Sequence, residues 1–559
     1  MITLHAYILR ELLKSFGLTI LALTALFTMG GGLYNVLSVE GVTAGDIFIV
    51  LPMLLPVVVT LTMPVAALFA TTMTYGRLAA DNELVAARAA GVNVHRLFFS
   101  AILLSVFVAL VTVLSVNLVI PHFMKRIEYF ALTNVRDFAF NRLLQRGYMR
   151  YAEPGKDCYT LTTQQVLDVP EDQLIAKGFE PPGNGVGYFW VEQPTFLMTN
   201  KNRQLERFSV AEGGLVQFDT RGQDVKFTLY VKNARDYDGK RVAQLENQKI
   251  GPYAREIPFS PKPSMVDLTT LRRWTAAPWE APRLGVRVED FLGRLREHVF
   301  CVLTAKRLAG RAPLVLHDEE GARYEISAAA AVPSGPSQLV LSEVNVTRHP
   351  VVRDTGQTRP PMRYQAARAK LRVRTRAEGS WVELELNQVG DQPVQEFIVR
   401  EDGYATQREK ESVRVDDLLP PEYVGVRMEP CTAAAVLDPL AELPTDDDLE
   451  HHRKRLQESA QLLQRKIAGV IHFRLSFASS ALVTVLMGAA LGVIFRGSRA
   501  LAAFGLACIP FAIVAILISM GKQMTESAAS HALGPLLIWG GLALVAVADV
   551  VILRFGVRR

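Results

Sequence analysis

The sequence predicts an α-helical membrane bundle of six transmembrane helices with an exported, antiparallel β-jellyroll-like domain, and three observations lead to this fold class. Apolar runs long enough to cross a bilayer, which takes about 20 residues, stand at both ends of the 559-residue chain. The middle alternates polar and apolar residues as β-strands do. Basic residues gather in every second short loop between the apolar runs.

The spans follow from the apolar runs in chain order. The second run contains Pro52, Pro56 and Pro64, which a membrane helix tolerates when its neighbours satisfy the freed carbonyl groups. The first run is longer than the apolar region of a signal peptide and no Ala-x-Ala site follows it, so we expect it to be retained. The predicted spans are Ser15–Val36, Ile47–Met73, Leu97–Ile120, Leu475–Phe495, Ala500–Met520 and Leu533–Leu553.

The orientation follows from the basic residues of the short loops, which mark the cytoplasmic side. Loop 40–46 has no Arg or Lys, and loop 522–534 has one Lys. We therefore predict a multi-pass inner-membrane protein with both termini in the cytoplasm and residues of about 121–466 in the periplasm. The basic residues that decide this are Arg10, Lys14, Arg77, Arg88, Arg96, Arg496, Arg499, Arg554, Arg558 and Arg559.

The exported middle contains two stretches of predicted strands. Both show strand, turn and strand with similar spacing, which fits either a duplicated β unit or two unrelated hairpins. Helical patterns are few there, at Val288–His298 and in a helix that starts near Thr445 and continues into span four. The strands are predicted at Gly187–Met198, Glu206–Val210, Gly214–Phe218 and Val225–Val231, and then at Arg363–Arg374 and Ser380–Leu386.

These observations divide the chain into five regions. Residues 1–121 hold spans one to three with a cytoplasmic helix at about 77–91, residues 122–274 form the β-jellyroll-like domain, residues 275–437 form an extra β-rich periplasmic insertion, residues 438–466 form a periplasmic helix that leads into the membrane, and residues 467–559 hold spans four to six.

Composition and motifs argue against several classes of protein. A net charge of +6, scattered along the chain, gives no reason to expect nucleic acid. No GxxxxGK[ST] loop, metal-ligand spacing or Ser-His-Asp arrangement can be assigned, so we expect no enzyme activity, cofactor or metal. Cys158, Cys301 and Cys431 share the polar middle of the chain. Three cysteines cannot all pair with one another, so the sequence allows at most one disulfide bond among them.

The loop between spans two and three carries the pattern that points to function. Gly76–Gly91 predicts a short amphipathic helix with Asp81 and Glu83 in its first half, Arg88 in its second half, and Gly91 as the C-terminal cap. Such acidic side chains can form charge-assisted hydrogen bonds to arginines of a soluble partner. The alternative is an ordinary polar loop helix without a partner.

Four motifs resemble the LptF/LptG permeases, part of the ABC exporter that extracts lipopolysaccharide from the inner membrane of Gram-negative bacteria. They occur in order in both membrane-spanning thirds, and the β-rich middle stands where the family has its exported β-jellyroll. F-like and G-like membership both stay open. The motifs are Tyr7-Ile-Leu-Arg-Glu-Leu-Leu-Lys-Ser-Phe16, Leu51-Pro-Met-Leu-Leu-Pro56, Gly76-Arg-Leu-Ala-Ala-Asp-Asn-Glu83 with Gly91, and His472-Phe-Arg-Leu475.

The resemblance implies a permease subunit and its partners. Two such permeases form a cavity that opens sideways to the outer leaflet, an LptB-like cytoplasmic ATPase dimer closes it, and lipopolysaccharide or a related glycolipid passes to an LptC/LptA-like jellyroll bridge in the periplasm. In the family, the acidic residue that matches Glu83 contacts the ATPase. We therefore expect Glu83 to couple the chain to an ATPase, with support from Arg77, Asp81, Arg88 and Gly91.

The chain departs from the family in two respects. The outer half of span one, which in the family often carries cations suited to lipid A phosphates, has none here, and the exported region is much longer than one jellyroll. Other side chains near the outer surface become candidates for binding the lipid headgroup, or else are ordinary interfacial anchors. These candidates are Tyr34, His122, Lys125, Arg126, His472, Arg474 and Lys522.

Two further alternatives stay open from the sequence. Gly488 and Gly492 form a GxxxG motif that suits either a partner interface or packing within the chain. The whole protein could instead be a membrane-anchored structural or receptor protein whose β domain binds a periplasmic ligand. Reversing the charge of Glu83 distinguishes that function from transport, because only a transport subunit needs the ATPase.

Overall fold

The computed structural model consists of two compact units. The membrane unit comprises residues 1–272 and 465–559, and the second unit comprises residues 273–464. The structure describes residues 2–32, 43–152, 158–179, 181, 183, 186–199, 205–220, 225–237, 242–255, 262–318, 321–335, 337–349, 361–376, 379–399, 405–495 and 500–556.

The helices are numbered in chain order. Three wider π-helical turns, Thr28–Gly32, Ser115–Val119 and Ile552–Gly556, follow α1, separate α5 from α6, and follow α15. The helices are α1 Ile2–Phe27, α2 Ala44–Ala80, α3 Glu83–Ala89, α4 Val94–Leu97, α5 Phe99–Leu114, α6 Ile120–Thr133, α7 Val135–Arg146, α8 Glu171–Ala176, α9 Leu268–Ala276, α10 Pro282–Ala309, α11 Glu422–Met428, α12 Ala433–Leu437, α13 Asp447–Ile494, α14 Ala500–Glu526 and α15 Leu533–Val551.

Six helical stretches of the described residues are long and apolar enough to cross a membrane, which confirms the predicted spans. Several extend beyond their predicted ends, because polar residues can continue a helix past the apolar part that hydropathy detects. The fourth begins at Asp447, which confirms the prediction of a helix that starts near Thr445 and continues into span four. The stretches are Thr3–Gly31, Gly45–Ala80, Phe99–Thr133, Asp447–Ile494, Ala502–Glu526 and Leu533–Arg554.

Gly488 and Gly492 of α13 lie where this helix packs against α2. A Cβ atom on Gly488 would lie 2.8 Å from side-chain atoms of Leu68, Thr71 and Thr72, and one on Gly492 would lie 2.6 Å from the Thr72 carbonyl oxygen. Glycine permits this close approach because it has no side chain. Of the two alternatives for the GxxxG motif, the structure therefore shows packing within the chain.

The nine strands described in the membrane unit form one curled antiparallel sheet. The strand order is β1-β2-β5-β6-β8-β7-β4-β3, with β9 beside β8. One face packs Phe189, Phe196 and Leu229 against Leu143 of α7, and this is the core of the sheet. The strands are β1 Tyr148–Ala152, β2 Cys158–Thr162, β3 Gln165–Leu167, β4 Val186–Glu192, β5 Thr195–Thr199, β6 Leu205–Val210, β7 Gly213–Asp219, β8 Val225–Tyr237 and β9 Val242–Arg255.

The second unit holds another curled antiparallel sheet of nine described strands, packed on α10. The central order is β10-β11-β13-β14-β15-β18, and a bridge between His317 and Leu419 joins its two ends at one rung. Phe291, Leu295 and Phe300 of α10 belong to the core of this sheet. The strands are β10 Leu314–His317, β11 Arg323–Ser327, β12 Ala330–Pro333, β13 Gln338–His349, β14 Met362–Arg376, β15 Gly379–Asn387, β16 Val394–Val399, β17 Ala405–Lys410 and β18 Ser412–Leu418.

The structure corrects three details of the exported middle. The single strand predicted at Gly187–Met198 is two strands, because the chain turns at Gln193, whose φ of 49° is left-handed. The helix predicted at Val288–His298 is the longer α10. The cysteines are free, so the bridge that the sequence left open is absent. Burial raises the pKa of the Cys301 thiol to about 12, which makes it unreactive at neutral pH.

Substituting Gly492 should destabilise the bundle, because a side chain there meets the backbone of α2. Overpacking of a tight contact costs about 1–3 kcal/mol, so Gly492→Leu should lower the thermal unfolding temperature of the detergent-purified chain. Gly505→Leu is the matched control, since a Cβ atom at Gly505 meets nothing within 4 Å. Equal unfolding temperatures for the two variants would contradict the packing described here.

Candidate functional site

The segment after the second span is a break followed by a short helix, rather than the single helix predicted over about 77–91. Helix α2 ends at Ala80, and Arg77 lies in its last turn. Asn82 then adopts a left-handed φ of 58°, which asparagine tolerates, and α3 begins at Glu83. The left-handed Gly91, with a φ of 82°, follows the end of α3 as predicted for a C-terminal cap.

One leucine anchors α3 to the end of the bundle. Leu84 is 6% exposed and belongs to a core cluster with Tyr75, Leu97 and Phe98. The Tyr75 ring stacks on the Phe98 ring with 5.3 Å between centroids, and its hydroxyl donates a hydrogen bond to the Leu97 carbonyl oxygen at 2.7 Å. Because this hydrogen bond is buried, losing it would leave a carbonyl group unsatisfied. The position of α3 is therefore set by packing from α2 and α4.

Polar contacts from α1 tie down the same segment. The Tyr7 hydroxyl donates to the Glu83 carboxylate at 3.3 Å. Arg77 donates to Glu11 at 2.6 Å, and Lys14 contacts the same carboxylate at 2.9 Å. Arg77 and Lys14 are exposed, so these ion pairs contribute little stability. They orient the ends of α1 and α2 around Glu83.

The outward side of α3 is small and apolar. Val85 is 44% exposed, and Ala86 and Ala89 are exposed as well. Asp81 and Asn82 flank this patch, and they are exposed too. A small, apolar ridge bordered by the carboxylate of Asp81 and the amide of Asn82 suits insertion into a groove with basic edges.

The structure brings the predicted coupling residues together only in part. Glu83 is half-buried and accepts a hydrogen bond from the Tyr7 hydroxyl. Arg77 donates its hydrogen bond to Glu11 and not to Glu83. Arg88 is half-buried on α3. Sequence reasoning missed the roles of Tyr7 and Glu11, although both belong to the first motif that resembles the family.

Candidates for contact with a lipid headgroup form a first group around α13, α14 and α15. Trp539 donates its indole N–H to Nδ1 of His472 at 3.3 Å. The Lys522 ammonium lies 5.3 Å from the centroid of the Phe473 ring. Aromatic and basic side chains are both common at a membrane–water interface.

A second group lies on α6, where His122, Lys125 and Arg126 are exposed. The Arg126 guanidinium is 5.9 Å from the centroid of the Phe123 ring. For the described residues, the structure records no contact between this group and the group around Lys522. Tyr34, the remaining candidate on span one, lies outside the described residues.

Arg474 differs from the prediction that it contacts a headgroup. It is 4% exposed, and its guanidinium donates to Asn117 and to three backbone carbonyl groups. A cation near the end of a span gives the same sequence signal whether it contacts lipid or carbonyl groups, and only the structure distinguishes the two.

Comparison with protein families identifies one family, described as the lipopolysaccharide export system permease LptF/LptG, which matches residues 6–175 and 346–554. The unmatched residues 176–345 include parts of both sheets, whereas the two compact units divide at residues 272 and 465. Alternating strands of different sheets resemble one another in sequence, so the matched ends need not coincide with the unit boundaries. A comparison with curated proteins found no match. The match covers most of the chain, including all six apolar spans, and the chain belongs to the LptF/LptG family of lipopolysaccharide export permeases.

Proposed function

We propose that the chain is a permease subunit that extracts lipopolysaccharide, or a related glycolipid, under the drive of a separate cytoplasmic ATPase that docks on α3. The observation that carries the proposal is the anchoring of α3: Leu84 is fixed in the core while Val85 and its neighbours face outward. A helix that transmits movement from an ATPase must be packed rigidly on the membrane bundle and must also be accessible to the ATPase. The helix meets both requirements.

The proposed orientation places α3 and both termini in the cytoplasm and the two β units in the periplasm. The basic loops between the spans support this orientation, because long exported domains cross the membrane regardless of their own charge. Residues 275–437 then form an additional periplasmic β-rich region that leads through residues 438–466 into span four. The β-jellyroll-like sheet of the membrane unit would pass the glycolipid to a periplasmic jellyroll bridge protein.

The proposed complex contains a second permease of the same family, and the lipid enters between the two. In the group around His472 and Lys522, Lys522 supplies a cation at the outer membrane surface, where the phosphates of the glycolipid lie, and His472 accepts a hydrogen bond from Trp539. The exposed cations Lys125 and Arg126, together with the exposed His122, extend the polar surface on α6.

Reversing the charge at Glu83 tests the docking site. Glu83→Arg removes the acceptor of the Tyr7 hydroxyl and presents a cation to a surface that we expect to be basic. Co-purification of the ATPase in mild detergent should fall by at least about tenfold, since like charges at an interface cost several kcal/mol.

The control for this experiment is Glu289→Arg, the same reversal at an exposed position of α10 in the second unit. It should leave co-purification unchanged. Retention of the ATPase by Glu83→Arg at the wild-type level, with the chain folded, would refute docking at α3.

Neutralising Lys522 tests the headgroup site. Lys522→Met should reduce the lipopolysaccharide that co-purifies with the chain by about threefold to tenfold, because one charge-assisted bond to a phosphate is lost. Lys306→Met, at an exposed position of α10, removes the same charge elsewhere and should have no effect. If both variants retain equal amounts of lipid, Lys522 is an interfacial anchor only.

A further inference from the structure

Arg474 is a buried cation whose bonds all stay within the membrane unit. Its Nη1 donates to Oδ1 of Asn117 at 3.1 Å, and its Nη2 lies within hydrogen-bonding distance of the carbonyl oxygens of Pro263, Ser264 and Val266 at 3.4, 3.2 and 2.7 Å. The guanidinium therefore joins three parts of the chain: span four, span three, and the segment that follows the first sheet.

A buried guanidinium holds its partners as a set. Removing a charge from water is costly, and the cost is offset only while the hydrogen-bond acceptors stay in place. If span three moved away from span four, Arg474 would lose Asn117 and remain buried with fewer acceptors. Spans three and four and the segment that follows the first sheet are therefore expected to move together.

Span three is shaped to present Asn117 at this point. Asn117 lies in the π-helical turn Ser115–Val119, in which the helix is wound more widely than in the α-helices on either side. Its Nδ2 donates to the Val113 carbonyl oxygen at 2.9 Å, which leaves Oδ1 to accept from Arg474. Such local π turns often occur at functional positions, because the extra residue redirects a side chain.

The third partner is itself firmly held. Asp267, next to Val266, caps α9 by accepting hydrogen bonds from Thr269 and Thr270. These bonds, that from Thr269 foremost, hold the pKa of the Asp267 carboxyl well below its usual range. The carboxylate is therefore charged at neutral pH and keeps the cap. The segment at 263–267 has an anchor on each side, with Arg474 on one and α9 on the other.

We propose that Arg474 is a positioning residue of the exporter, the joint through which movement of spans three and four reaches the segment that follows the first β sheet. Only the expected loss of lipopolysaccharide export in the test below rests on the proposed function. Its structural content is that residues 263–266, the turn at Asn117 and the outer part of α13 move as one body.

Substitutions of Arg474 and Asn117 distinguish a guanidinium that links three segments from a residue that only supplies a positive charge. Arg474→Met keeps the approximate length and removes the charge, but it leaves the Asn117 amide oxygen and the backbone carbonyl groups without their donor, so it should also lower the unfolding temperature. Arg474→Lys keeps the charge but cannot fork between Asn117 and the carbonyl groups. Asn117→Leu removes one acceptor, and Asn117→Asp keeps it as the matched control.

The readout is the distance between spin labels at His122 and Lys262, both exposed, in full-length chain without its native cysteines, reconstituted in lipid. The distance distribution should be narrow in the parent and broad in Arg474→Met, Arg474→Lys and Asn117→Leu. It should stay narrow in Asn117→Asp. A label pair at Met520 and Leu536, on neighbouring helices α14 and α15, should not change in any variant.

Lipopolysaccharide export by the same variants should fall by about tenfold where the distribution broadens, and Arg474→Lys, which keeps the charge and a donor, separates this loss from the lower stability of Arg474→Met. A narrow distribution in Arg474→Met would overturn the joint. Full export by Arg474→Lys would overturn it as well, because a point charge would then suffice. If the parent chain exported no lipopolysaccharide, the export function would fail, and the label distances would still decide whether the joint exists.

Discussion

The burial of Leu84 in the core cluster that includes the stacked rings of Tyr75 and Phe98 is the packing on which the functional interpretation depends. It fixes a seven-residue helix, too short to be stable alone, against the ends of α2 and α4. The ion pairs around Glu11 then orient the rim of the site without adding much stability. A force applied to α3 therefore reaches the bundle through packing, which is stiff, rather than through surface charges, which are not.

Close packing also determines how the spans meet one another. Glycines let α13 approach the backbone of α2, so that the fourth span packs directly on the second. Two polar contacts join spans within the bundle: Thr24 pairs with Thr62 across α1 and α2 at 3.3 Å, and Arg474 donates a hydrogen bond to Asn117. A bilayer offers no hydrogen bonds, so these internal pairs also fix which helices neighbour each other.

Hydropathy and alternation predicted the six spans and the β-rich middle, because burial in lipid and burial of one sheet face leave direct marks on the sequence. The break at Asn82 was not predicted, since the left-handed turn interrupts a pattern that looks helical throughout. The pair of Glu11 and Arg77 was missed because the two residues lie far apart in sequence. For Arg474, the sequence showed a cation near the membrane surface but not the carbonyl groups that surround it.

The side of the membrane on which α3 lies is the central claim, and accessibility of a single cysteine measures it directly. In a chain without its native cysteines, Val85→Cys should react with a membrane-permeant thiol reagent and resist an impermeant reagent added outside spheroplasts. Leu440→Cys in the second unit, where the leucine is 91% exposed, should react with both reagents. Labelling of Val85→Cys by the impermeant reagent in intact spheroplasts would place α3 in the periplasm, out of reach of any cytoplasmic ATPase, and would contradict the proposed function.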